Sequence, residues 1–335
     1  MRRWSREGLL GRVVVFIVVL LAAGAGALYL FGPRVASDTS VTFDEAALGS
    51  DPAAYVAASE AKVAAIRAGL AKEIVWAYPA SRAKTPLSIV YIHGFSASKG
   101  EIRPVPDKVA AALGANLFYT RLAGHGQDNA AMGEASLNDW INDTAEALAI
   151  GRAIGERVIV IATSTGGSLA AYAVAQPALA KDVAALVLIS PNFGVQAAGA
   201  GLLTGPWGLQ IAELLIGKER GFEPANDLQR HFWTYTYPTK ATLPMAATVA
   251  LARRQAYDKV KIPALFVVSD GDQVIKPDEV KAVAAAWGGP HELLAVDDPG
   301  DPSSHVLAGD ALSPQMTDPM ATKIVEWIKS LGLAS

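Results

Sequence analysis

From Val13 to Phe31 the chain carries no charge and is apolar at nearly every position, whichever side of a helix is considered. At 1.5 Å per residue such a helix would span about 28 Å, close to the hydrocarbon core of a bilayer. Polar residues without a period follow from Gly32 to Ser50 and read as a linker. Asp51 and Pro52 then form a helix-start signal, and Val56, Val63, Ile66 and Leu70 recur at helical spacing, which predicts a helix over roughly 52–71.

Beyond Glu73 the period changes again. Short β-branched runs alternate with longer helical patterns, the signature of βαβ units and a mostly parallel sheet flanked by helices. Strands are predicted at Ile74–Tyr78, Ser88–Ile92, Asn116–Tyr119, Val158–Ala162, Ala185–Ile189, Ala264–Val268 and Leu293–Val296. Helices are predicted near 104–113, 139–152, 167–176, 278–287 and 319–331. The alternation stops between Pro191 and about Val260, where Trp207, Phe222, Phe232, Trp233, Tyr235 and Tyr237 gather among glycines and prolines. This stretch, about 191–256, is expected to be a small lid insertion over one edge of the sheet. Its aromatic residues are read as lid core or as the lining of an acyl pocket. The chain therefore divides into 1–31, a cytoplasmic stub with a membrane anchor; 32–72, a linker and helix; and 73–335, an α/β domain.

Charge orients the first segment. Arg2, Arg3, Arg6 and Arg12 precede the apolar run against the single acid Glu7, so the positive-inside bias puts the N-terminus in the cytoplasm. All that follows Pro33 then lies on the periplasmic or extracytoplasmic side, with residues 13–31 in the lipid bilayer. A cleavable signal peptide, with Val13–Leu21 as its apolar core and Ala25 and Ala27 before the cut, is the alternative and leads to a secreted protein. Over the whole chain Lys plus Arg is 29 against 32 acids, a formal net charge of −3, too little positive field for nucleic acid. With no cysteine, thiolate catalysis and cysteine zinc sites are excluded. No phosphate-binding glycine motif and no H-E-x-x-H is present, and the acidic loop 297–301 reads as solvated rather than as a calcium site.

One strand leads into chemistry. Val158–Ile161 runs into Ala162-Thr163-Ser164-Thr165-Gly166-Gly167 and then a helix, the strand–turn–helix context of a nucleophile elbow. Ala162 replaces the first glycine of the G-x-S-x-G pattern, and Ser164 also suits a plain helix N-cap. A serine hydroxyl needs a base, and the base needs an acid to orient it. His305 follows the last strand and a flexible acidic loop, where an imidazole can reach back over the sheet. Asp272 lies just past the strand Leu265–Val268, at the sheet end where α/β folds place their sites, with Asp270 as its rival. The order Ser164, Asp272, His305 is that of the α/β-hydrolase fold.

From about Glu73 to Leu331 the chain resembles the α/β-hydrolase superfamily and, within it, the carboxylesterase and monoacylglycerol-lipase-like group. The residues that carry the resemblance are His93–Ser98, Arg121–Gly126, the Asp139-Trp140 helix start, the Ser164 elbow, Ser269–Pro277 and Ser304–Leu307. It implies an oxyanion hole made by the backbone N–H groups of Phe95 and Thr165, a loop-ordering role for His93, a structural turn at His125, and no cofactor or metal. The resulting expectation is a membrane-anchored serine hydrolase that cleaves carboxylic esters, extending to medium-chain acyl or monoacylglycerol-like lipids, through an acyl-enzyme. A thioesterase or acyltransferase of the same fold, or a non-catalytic binding protein on the same scaffold, are the alternatives. Substrate identity and oligomeric state are not encoded in these motifs.

Overall fold

Strands with apolar residues on both faces are stable only when both faces are covered, and that is how the sheet is used. The computed structural model describes residues 6–334; Arg2 and Arg3, which help set the expected orientation, lie outside the described residues. The strands are β1 (Glu73–Val75), β2 (Thr85–Ile92), β3 (Asn116–Tyr119), β4 (Gly155–Thr163), β5 (Val183–Ile189), β6 (Glu219–Gly221), β7 (Thr236–Pro238), β8 (Ala264–Val268) and β9 (His291–Ala295). Seven of them form one sheet in the order β1-β3-β2-β4-β5-β8-β9, while β6 and β7 pair as a small antiparallel ribbon. Every neighbouring pair in the large sheet is parallel except β1 with β3. All seven expected strands are present, with ends displaced by up to three residues.

The helices are α1 (Arg6–Phe31), α2 (Pro52–Glu60), α3 (Val105–Leu113), α4 (Leu137–Ile154), α5 (Ser164–Val174), α6 (Gly208–Ile216), α7 (Asp227–Phe232), α8 (Thr242–Ala252), α9 (Pro277–Ala285) and α10 (Thr317–Ser330). Strand side chains alternate between faces. Ile89, Tyr91, Ile159, Ile161, Val187 and Val267 pack with α3 and α10. Val90, Ile92, Val158, Val160, Leu188 and Phe266 pack with α4, α5, α8 and α9. The sheet is thus the middle of three layers, and its carboxyl edge gathers the loops after β2, β4, β8 and β9. Within α1, Leu10–Phe31 is apolar and long enough to cross a bilayer and is not buried by the rest of the protein.

Two expectations are corrected. The helix predicted over 52–71 ends at Glu60, because Glu60 is taken up by a distant partner. Its carboxylate accepts both Nε (2.9 Å) and Nη2 (2.8 Å) of Arg121 and the Lys72 N–H (2.8 Å), and residues 61–71 turn to reach it. Second, the segment expected to be a linker is fastened along α4. The N–H groups of Thr42 and Phe43 donate to Asn142 Oδ1 at 2.7 and 2.9 Å, and Asn138 Nδ2 donates to Ser40 O. The insertion leaves the sheet between β5 and β8, which are neighbours within it. Its last helix, α8, is apolar around its circumference and buries Met245, Ala246, Val249 and Ala252 against the layer that holds α5. The insertion's aromatic residues divide between environments: Trp233 is core, whereas Trp207 and Phe222 are exposed.

The Glu60–Arg121 pair is bidentate and buried, and removing one partner of such a pair leaves the other charge uncompensated. Glu60→Ala is therefore expected to cost about 3–5 kcal/mol, read as a lowered urea midpoint of the detergent-solubilised protein.

Candidate active site

Ser164 stands at the β4–α5 junction with φ +51°, a left-handed conformation that a non-glycine residue adopts only when its surroundings enforce it. Close packing of the turn against β2 supplies that enforcement. A Cβ on Gly166 would lie 2.3 Å from Ile92 O and 2.6 Å from His93 O, so only glycine lets the turn approach so near. Ala162, where the motif has glycine, fits without penalty: it is a buried strand residue in register with Ile92 and Leu188. Nor is Ser164 a side-chain cap. The N-cap position is Thr163, and no side chain caps α5. The first-turn N–H groups of α5, that of Thr165 included, have no intrahelical acceptor and carry the positive end of the helix dipole.

Asp272 and His305 meet. His305 Nδ1–H donates to Asp272 Oδ2 at 2.8 Å, while Asp272 Oδ1 accepts the N–H groups of Val274 (2.8 Å) and Ile275 (2.9 Å). The rival, Asp270, instead pairs with Lys281 Nζ at 2.5 Å on the surface. The loop before His305, expected to be flexible, is tied down. Asp301 Oδ2 accepts the N–H groups of His305 and Val306 at 3.0 Å each and the Ser303 hydroxyl, and Ser190 Oγ donates to His305 O. Burial opposes charge on the His305 ring, but the Asp272 hydrogen bond and the charges of Asp272, Glu101 and Asp301 outweigh it and raise its pKa above 6.5. Ser164 and His305 are both buried at the carboxyl edge of the sheet; among the described residues no direct hydrogen bond joins Ser164 Oγ to the ring. Such bonds often tighten only when substrate is present.

The loop after β2 completes the site. Gly94 N–H donates to Glu101 Oε2 at 2.7 Å, and Ser96 N–H donates to His125 Nε2 at 3.0 Å. Between these two fixed amides, the N–H of Phe95 has no acceptor among the described residues. His93 Nε2 accepts from Leu122 N and its Nδ1 donates to Gly94 O; His125 Nδ1 donates to Ala123 O. Both rings have both nitrogens committed to backbone. Burial pushes the His93 pKa down to about 4 and that of His125 well below 6.5.

Glu101 went unremarked in the sequence. It is buried beside Ser164, accepts the Tyr91 hydroxyl at 2.8 Å as well as Gly94 N–H, and has its pKa raised by burial. Flanked by Lys99 and Arg103, it carries no local signal in the sequence that sets it apart from an ordinary surface acid. Asp301 was read as part of a solvated acidic loop. Two cavities flank the site without containing Ser164 or His305. One of about 680 Å³ is lined by Arg67, Gln127, His231 and Tyr235. The other, of about 500 Å³, lies between residues 194–204 and α8 and reaches Met245, whose sulfur accepts from Asn192 beside Ser164.

Residues 89–317, more than half of the chain, match the alpha/beta hydrolase family, and the chain belongs to it. A thermostable monoacylglycerol lipase of Bacillus sp. (strain H-257) is 27% identical over 192 residues, covering 57% of this chain and 73% of the relative. Among solved structures, one from work on LipS and LipT, two metagenome-derived lipolytic enzymes, superposes with a TM-score of 0.63 at 19% identity, covering 79% of this chain and 99% of the other. The monoacylglycerol lipase of Paleococcus ferrophilus does so with a TM-score of 0.55 at 12% identity, covering 78% and 98%. At these identities the two structures bear on the fold alone.

The buried imidazoles make stability depend on pH. Unfolded, His93 binds a proton near pH 6.5; folded, only near pH 4. The stability it contributes is present above pH 6.5 and is lost as pH falls through that window, with His125 acting in the same direction. For His93 roughly 2 kcal/mol should be lost between pH 6.5 and 5, and His93→Gln should flatten the fall of the unfolding midpoint with decreasing pH.

Proposed function

We propose that this chain is a membrane-anchored serine hydrolase that cleaves carboxylic esters, with Ser164 as nucleophile, His305 as base and Asp272 as the acid that orients it. The observation that carries the reading is the Asp272–His305 hydrogen bond at the same sheet edge as a serine held at φ +51° on a helix N-terminus. Family membership and the similarity to a monoacylglycerol lipase support ester substrates. The apolar helix Leu10–Phe31 supports the anchor, and the arginines before it favour the hydrolase domain on the extracytoplasmic side.

Each step follows from a placed group. With the Nδ1 proton directed at Asp272, the His305 Nε2 lone pair is free to take the Ser164 proton as Oγ attacks the acyl carbon. Charge that develops on the carbonyl oxygen is met by the Phe95 and Thr165 amides and by the dipole of α5. Collapse expels the alcohol, which receives the proton from His305. Water then repeats the sequence on the acyl-enzyme and releases the acid. Glu101 acts through Gly94: by fixing that amide it sets the direction of the next one, and its charge favours the imidazolium formed during attack.

Ser164→Ala should lower hydrolysis of p-nitrophenyl esters about 10⁴-fold or more and abolish fluorophosphonate labelling. Full activity or intact labelling in that variant would remove the serine from the mechanism. For the wild type, kcat/KM should rise through an apparent pKa above 6.5, since the base works only when neutral. Glu101→Ala should reduce kcat about 10- to 100-fold with little change in KM. Glu101→Gln, which retains an acceptor for Gly94 N–H, should recover most of that loss while moving the pH profile to lower pH. A Gln variant as poor as the Ala variant, with an unmoved profile, would contradict the positioning role.

A further inference from the structure

We infer that the lid carries a second membrane-binding surface, formed by Leu202, Ile211, Leu214, Leu215 and Ile216, that sits in the same leaflet as the carboxyl-terminal end of α1. The inference rests on the anchor reading proposed above and adds to it a face of the hydrolase domain itself.

Helix α6 is built inside out for a helix facing water. Its buried residues are the small Gly208 and Ala212, while Leu214 is 86% exposed and Leu215 70% exposed. Ile211 and Ile216 are exposed too, as is Leu202 on the preceding turn. Outside α1, Leu214 is the most exposed large aliphatic side chain among the described residues. A contiguous apolar face of this kind on a soluble domain marks an interaction site.

The occupant is indicated by what α6 is tied to. Trp207 begins the helix, and its indole Nε1–H donates to Leu28 O at 2.9 Å while its backbone N–H donates to Pro33 O at 2.8 Å. Leu28 O is one of the last four carbonyls of α1, which have no intrahelical partner, so the lid supplies the missing donor. The approach is close enough that a Cβ on Gly32 would lie 2.4 Å from Trp207 Nε1. Leu28 lies about 4.5 Å inside the end of α1, the level at which an amphipathic indole suits a membrane boundary. Helix α6 starts at Gly208, one residue beyond that tied tryptophan, and a helix lying in the interface buries its apolar face about 5–10 Å deep. Lys218 and Arg220 follow α6, and Arg34 follows α1, but Glu213 and Glu219 accompany them. Attraction is therefore mainly apolar and suits a zwitterionic bilayer. The same turn that carries Leu202 lines the cavity reaching Met245, so the surface borders that cavity.

The chain has no cysteine, which allows a direct test in the full-length protein. Leu214→Cys, Val19→Cys and Asp278→Cys would each be labelled with a bimane fluorophore, reconstituted into phosphatidylcholine vesicles with brominated acyl chains, and assayed on a water-soluble ester. The label at position 214 should lose emission to an extent approaching that at 19, and the label at 278 on exposed α9 should lose none. Quenching at 19 without quenching at 214 overturns the lid surface and leaves the anchor intact. Emission at 214 that shifts to the blue with protein density but is not quenched by brominated lipid assigns the face to a second copy of the chain, which also overturns it. An unquenched label at 19 overturns the anchor reading and this inference with it; ester hydrolysis on the same samples shows whether the catalytic reading survives.

Discussion

The close approach of the β4–α5 turn to the end of β2 is the constraint on which the rest of the site depends. Gly166 lies so near the carbonyls of Ile92 and His93 that a side chain there is impossible, and this contact presses Ser164 into the left-handed region. One consequence is chemical: the hydroxyl stands at the start of α5, beside amides that no helical carbonyl can satisfy. The other is architectural, because the same contact brings the β2 loop within reach of the serine. A turn of ordinary geometry would separate Ser164 from Phe95.

Backbone amides in the β2 loop are sorted by their neighbours. Gly94 is held by Glu101, Ser96 by His125, and Phe95 between them is left free. The proposed oxyanion role fits this arrangement: such a donor is left unsatisfied in the resting protein while its direction is fixed, since preorganised donors stabilise developing charge without reorganising. Buried neutral imidazoles suit this task better than charged groups would. His93 and His125 accept from one amide and donate to a carbonyl, and burial holds both unprotonated. The ring treated in the opposite way is His305, surrounded by Asp272, Asp301 and Glu101 so that it can hold a proton. The protein thus sets the protonation of its buried histidines in opposite directions by the charges it places around them.

What could be read from the sequence follows the range of the interactions involved. The seven strands and the elbow are set by local alternation and turn chemistry, and both were legible. Helix α2 was overestimated because its end is decided by Arg121, a partner 61 positions away. Residues 40–43 looked like a linker because nothing nearby shows that Asn138 and Asn142 of α4 will hold them. Choosing between Asp270 and Asp272 needed the fold of the turn, in which one carboxylate faces Lys281 and the other faces His305. Glu101 was hidden for the same reason: its partners, Tyr91 and Gly94, are close in sequence, but its burial beside Ser164 depends on the whole sheet edge.

Fastening of residues 40–43 to α4 gives the join between α1 and the domain a mechanical meaning. A flexible tether would let the domain tumble freely at the end of α1. Here the chain leaves α1 at Phe31, is bonded to the lid through Leu28 and Pro33, and is bonded again to α4 ten residues later. Two attachments on different elements restrict rotation as well as distance. The cavity that reaches Met245 is bounded by the lid turn at residues 200–204, just before Trp207, so its orientation is set by the same attachments. Orientation relative to α1 is thus built into this hydrolase domain through backbone carbonyls at the helix end, groups that would otherwise lack intrahelical partners.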